Sequence, residues 1–145
     1  MSFTQVWFLR SALVWLVTTG ALGVYVSFNP GHAGLLAPTH AHIGMVGFFL
    51  SMVMGVAFWM LPRPGGMRQP RAELLTLLLL QSGMLLRVIG EPWWRATGME
   101  LPLVLFRLSG ALVLGAMLSF AVAAWRRVVS IDALRAAARP RRGAD

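Results

Sequence analysis

His40 and His42, separated by one alanine, stand at the head of an apolar stretch that runs from Thr39 to Leu61, and they are the residues of this chain best equipped for chemistry. Imidazole is the commonest side-chain ligand for metal ions and binds haem iron in many proteins. An ionisable group inside a bilayer is rare, and it usually lines a cavity, pairs with a partner or meets a ligand. The third and last histidine, His32, lies in the loop just before the same stretch. On a regular helix successive residues turn by about 100°, so His40 and His42 point about 200° apart and do different jobs. His40 shares its face with Gly44, Gly47, Ser51 and Gly55, a trench of small residues that admits either another helix or the flat face of a macrocycle. His42 shares its face with bulky apolar residues, Met45, Val46, Phe49 and Met52. His40 over the glycine trench is therefore the expected cofactor ligand, with His42 or His32 as a second one.

Two arginines join this layer. Arg87 and Arg107 fall roughly 5 and 9 Å inside the expected ends of the third and fourth apolar stretches, at the depth of the histidines. Guanidinium groups bind carboxylates bidentately, so anionic haem propionates are natural partners for both. The bland alternatives are a pair between Arg87 and Glu91 one turn on, and an Arg107 that snorkels outward or meets Glu100. Nine methionines invite a copper reading, but only Met45, one turn from His42, is a candidate; the others suit packing. The chain has no cysteine, which excludes disulfides, thiolate metal sites, iron–sulfur clusters and thioether-linked haem. Glu73, Glu91 and Glu100 fall at the ends of the apolar stretches and Asp132 and Asp145 in the tail, and no nucleophile stands near a histidine and an acid, so a triad or a transmembrane carboxylate relay is not expected.

The elements that position these residues are membrane spans. Of 145 residues, 57% are hydrophobic and 12% charged, against about 25% charged in a soluble domain. Four apolar stretches, 6–28, 39–61, 72–90 and 101–125, each approach the ~20 residues that cross a bilayer. The expectation is an all-α membrane protein, a four-helix antiparallel bundle over residues 1–127 followed by a basic tail, 128–145. A retained first helix is favoured over a cleaved signal peptide. Arg63, Arg68 and Arg71 lie in the central loop, and Arg126, Arg127, Arg135, Arg139, Arg141 and Arg142 follow the last span. By the positive-inside rule both termini are cytoplasmic and the histidines face outward, as expected of a bacterial inner-membrane protein. Topology thus accounts for the net charge of +8, and nucleic acid is not an expected partner. Trp59, Trp93 and Trp94 read as interfacial anchors, and Ser130 to Arg139 as a short basic amphipathic helix against anionic lipid.

The stretch from His40-Ala41-His42-Ile43-Gly44 through Met54-Gly55-Val56-Ala57-Phe58-Trp59-Met60-Leu61-Pro62 resembles the second helix of the haem–copper oxidase catalytic subunit, especially its nitric oxide reductase branch. The resemblance covers about 25 residues. It implies that His40 ligates a low-spin haem b and that arginines such as Arg87 and Arg107 meet its propionates. The family's second haem ligand and its catalytic metal ligands come from helices beyond the fourth, so oxygen or nitric oxide reduction by this chain alone is not implied. The reading is a b-type haem protein, forming a homodimer or serving a respiratory complex, in electron transfer or in haem or gas-ligand binding. The alternatives are a non-haem accessory subunit of an oxidase or reductase, docking through its small-residue trenches, and a copper or zinc protein using His32, His40 and His42.

Overall fold

The computed structural model describes residues 1–61, 69–125 and 127–128. They form four helices long and apolar enough to cross a membrane: α1, Phe3–Phe28; α2, Pro30–Met60; α3, Pro70–Thr97; and α4, Glu100–Trp125. Each is longer than its apolar stretch, and at two ends a local cap sets the boundary. At α1 the Ser2 Oγ accepts the Gln5 N–H at 3.3 Å and the Gln5 Oε1 accepts the Ser2 N–H at 2.9 Å, a capping box that starts the helix at Phe3. α2 is one continuous span that opens at Pro30 as a 3-10 turn, turns α-helical over Ala33–His42, widens to a π-helix over Ile43–Leu50 and returns to α over Ser51–Met60. Pro38, which directly precedes the apolar stretch 39–61, sits inside it. α3 runs through Pro92, just past the apolar stretch 72–90, and ends where Gly98 takes a left-handed φ of 66° and returns its N–H to the Trp94 carbonyl.

The connections are correspondingly short. Asn29 alone separates α1 from α2, and Gly98 and Met99 separate α3 from α4, where about ten residues were expected. The α2–α3 connection with Arg63 and Arg68, together with Arg126 and the amphipathic segment Ser130 to Arg139, lies outside the described residues.

Short loops make two antiparallel hairpins, and glycines set how closely their arms approach. Along the α1–α2 seam, a Cβ built on Gly44 would meet Thr19, one on Gly47 would stand 2.9 Å from the Trp15 ring, and one on Gly55 would stand 2.8 Å from the Phe8 Cβ. Along α3–α4, Gly83 lies against Ser109 and Val113, and Gly90 against Pro102 and Phe106. The hairpins meet through α3, which packs on α1 and α2 while α4 packs mainly on α3. Phe8, Met54, Phe58, Leu77, Leu80 and Ala116 fill one half of the core; Trp15, Ile43 and Met84 fill the other. Between them the Trp15 Nε1–H donates to the Gln81 Oε1 at 2.8 Å, and the Gln81 Nε2 donates to the Ser51 Oγ at 3.2 Å, tying three helices at mid-depth. Large apolar side chains cover the outside, Val17 at 72% exposed and Val122 at 65% among them, as lipid but not water would accept. The chain is a multi-pass membrane protein.

The end where α1 begins and α4 finishes carries a buried ionic knot. Arg127, completely buried, donates from Nη2 to Glu73 Oε1 at 3.0 Å and from Nη1 to the Phe58 carbonyl at 3.1 Å. The Gln5 Nε2 donates to the same carbonyl at 3.0 Å, and the Ser2 hydroxyl to Glu73 Oε2 at 3.2 Å. That carbonyl belongs to the last turn of α2, where backbone acceptors lack partners within the helix. Arg127 was expected to be one of the solvated topogenic charges of the tail. It instead joins the ends of all four helices, because Glu73 supplies a partner inside α3.

Two outcomes follow. Gly55→Ala should destabilise the bundle by about 1–3 kcal/mol, because α1 must move away from α2, whereas Gly20→Ala, whose Cβ meets nothing within 4 Å, should leave stability nearly unchanged. Glu73→Leu should cost about 3–5 kcal/mol by stranding a buried guanidinium, and Glu73→Leu with Arg127→Met should recover much of that loss. Unfolding in mixed detergent micelles measures both.

Candidate functional site at the histidine end

At the opposite end of the bundle, α2, α3 and α4 enclose a second polar cluster. Its centre is Arg87, on α3 and mostly buried, with 16% of its side chain exposed. Its Nε–H donates to Glu91 Oε2 at 3.2 Å, one turn along the same helix. Its Nη2 lies 2.8 Å from His42 Nε2, across the gap to α2. Phe106 of α4 stacks beneath the guanidinium, 4.3 Å from Cζ to the ring centroid. Glu91 is itself fully buried; the Thr39 hydroxyl donates to its Oε2 at 3.2 Å, and Arg95 Nη2 lies 3.6 Å from its Oε1.

Both ring nitrogens of His42 have close neighbours. Its Nδ1 lies 2.7 Å from the Pro38 carbonyl oxygen, which can only accept, so an Nδ1–H donates to it. Arg87 Nη2 lies 2.8 Å from Nε2 and 3.4 Å from Nδ1, so the guanidinium sits close against the ring. Glu91 Oε2 stands 3.8 Å from Nδ1, too far for a hydrogen bond.

His40 is elsewhere. It points toward α1, where Gly23 makes room for its ring: a Cβ on Gly23 would lie 3.2 Å from the His40 Cε1. Its Nδ1 is buried in the α1–α2 seam and has no hydrogen-bond partner among the described residues, and neither does the buried Thr19 Oγ1 in the same seam. His32 lies at the start of α2, exposed, stacked on Tyr25, with the Tyr25 hydroxyl 2.9 Å from its Nδ1. Arg107 is exposed on α4, and no hydrogen bond or ion pair of Arg107 occurs among the described residues. Met45 is exposed at 64%, facing away from the polar cluster.

The expected site is thus divided in two. The trench of Gly44, Gly47 and Gly55 holds α1 rather than a macrocycle, since Trp15, Thr19 and Phe8 already occupy it at van der Waals distance. Arg87 pairs with Glu91 and with His42, the histidine ranked second, and α2 stands between it and His40. The two arginines therefore do not converge on a group bound by His40 of the same chain. The three histidines likewise do not form a joint copper or zinc set: no group of three or more His, Asp or Glu able to hold a metal ion occurs among the described residues. The sequence reading treated neither carboxylate as belonging to a span, setting Glu73 at the edge of the third stretch and ending that stretch before Glu91. Glu91 and Glu73 lie inside α3 and anchor both polar clusters. The signal was there in the i, i+4 spacing of Arg87, Glu91 and Arg95.

Removing Glu91 alone strands Arg87. Glu91→Leu should destabilise the protein by about 3–5 kcal/mol, and adding Arg87→Met should restore most of it, read as unfolding in detergent. Comparison with protein-family models, curated proteins and solved structures finds no match, so the function has to be argued from the site itself.

Proposed function

We propose that this chain is a b-type haem-binding membrane protein that holds haem iron through His40, at a site on the α1–α2 side of the bundle facing the outside of the cell. The observation that carries the reading is the hydrogen bonding of the three imidazoles. His42 has both nitrogens engaged and His32 has Nδ1 on Tyr25, whereas no hydrogen bond of His40 occurs among the described residues and its Nδ1 is buried. His40 is partly buried, and its ring keeps a nitrogen able to bind a metal ion. Gly23 provides the room its ring needs. The resemblance of the segment around His40 to the haem-bearing helix of haem–copper oxidases points the same way, and haem bound there would supply one-electron or gas-ligand chemistry. His40 would be the ligand, and its seating against Gly23 would fix the ring plane. A second axial ligand would come from His32 or from another copy of the chain. The arginine asymmetry sets the histidine end outward.

In the docking alternative a partner would use the small-residue face of α4 around Arg107, Ala111 and Gly115, since α1 fills the trench of α2. Protein purified from haem-replete cells should show a Soret band that His40→Ala abolishes. Arg87→Gln should leave the band in place, because Arg87 lies across α2 from His40. A colourless, folded wild type would overturn the reading, and elemental analysis of the same sample would separate iron from copper or zinc.

A further inference from the structure

A cavity of about 230 Å³ lies between α2 and α4 with α3 as its floor. Arg87 and His42 form its polar part, and Val46, Met84, Val113 and Met117 its apolar walls. α2 and α4 touch little, and Gly110 and Met117 on its lining are exposed, so the cavity opens sideways toward lipid rather than along the bundle axis. We propose that it binds the head group of a membrane quinone, a carbonyl-bearing ring whose prenyl tail leaves between α2 and α4.

Four observations select that chemistry. Arg87 commits Nε to Glu91 and Nη2 to His42, while Nη1 has no hydrogen bond among the described residues, so the cavity offers donors to an acceptor. Arg87 pairs with Glu91 Oε2 at 3.2 Å, while Arg95, which also reaches Glu91 at 3.6 Å, is more exposed, so the charge of Arg87 is met inside the protein and a neutral acceptor such as a ring carbonyl is enough. Arg87 lies about four residues from the midpoint of α3 toward the histidine end, roughly 6 Å from the bilayer centre and well below the level of lipid phosphates. Finally, the volume is under the roughly 300–1,000 Å³ of drug-sized sites, which suits one substituted ring and not a macrocycle. This site is on the opposite side of α2 from His40 and does not rest on the haem reading.

The test is a titration of the full chain in phosphatidylcholine nanodiscs with decylubiquinone, read by calorimetry. Saturable one-to-one binding is expected. Gly110→Leu, whose new side chain enters the cavity from a position where a Cβ meets nothing within 4 Å, should weaken it at least about tenfold without changing the melting temperature. Gly20→Leu, an equally open position on α1, should leave it unchanged, as should His40→Ala. Arg87→Met paired with Glu91→Leu, which keeps the charges balanced, should also abolish it. Unsaturable partitioning that is the same in wild type and Gly110→Leu would overturn the proposal. So would a phospholipid that copurifies with the wild type, is lost in Gly110→Leu and is not displaced by the quinone, which would assign the cavity to a lipid ester carbonyl instead.

Discussion

Two carboxylates buried in one apolar helix govern how this bundle is assembled. Glu73 and Glu91 lie toward the two ends of α3 and are each about 1% exposed, and a charge buried in protein without a partner costs several kcal/mol, so neither can remain there without compensation. Each is compensated by arginine and by hydroxyl donors from other helices. Glu91 draws Thr39 and, through Arg87, His42 onto α3. Glu73 draws in Ser2, Gln5 and Arg127, which bring α1, α2 and the end of α4 to the same point. α3 is the hub because it carries the groups whose isolation would be most expensive.

Apolar packing cannot do this work in lipid, where the tails are as apolar as the side chains. Hydrogen bonds and close approach replace the hydrophobic drive. Glycines bring α1 within contact of α2 and α3 within contact of α4, and the Trp15–Gln81–Ser51 link holds the two hairpins together at mid-depth. The two arms of this arrangement compete for the same residues that chemistry would use. The trench along α2 could have held a flat ligand, but filling it with α1 gives the first hairpin its seam. The gap between α2 and α4, which α3 alone spans, stays open.

The division of labour between the histidines has the same origin. The pair lies in the α-helical part of α2, before the π-helical turns begin, so the wheel holds and the two rings leave the helix on different sides. One side meets a glycine and, among the described residues, no hydrogen-bond partner for Nδ1; the other meets a guanidinium. His42 is thereby held within a structural network, and His40 is left outside it.

The number of spans, their antiparallel order and the depth of the chemistry-bearing layer were legible in the residues alone, because a bilayer demands about twenty apolar residues per crossing and tolerates few charges within them. The divergence of His40 and His42 was legible for the same kind of reason, helical periodicity. What sequence left undecided was which neighbour each face would receive. Whether Gly44 and Gly47 seat a helix or a macrocycle depends on a chain segment thirty residues away. Pro38 and Pro92 looked like boundaries, yet each lies within a helix whose end is set by other caps, and that extension is what carried Glu91 into the bundle. The burial of Arg127 rests on Glu73, Phe58 and Gln5 meeting at one point. Local pattern determines which residues are costly to place in a membrane; only the tertiary structure decides which partner compensates each of them.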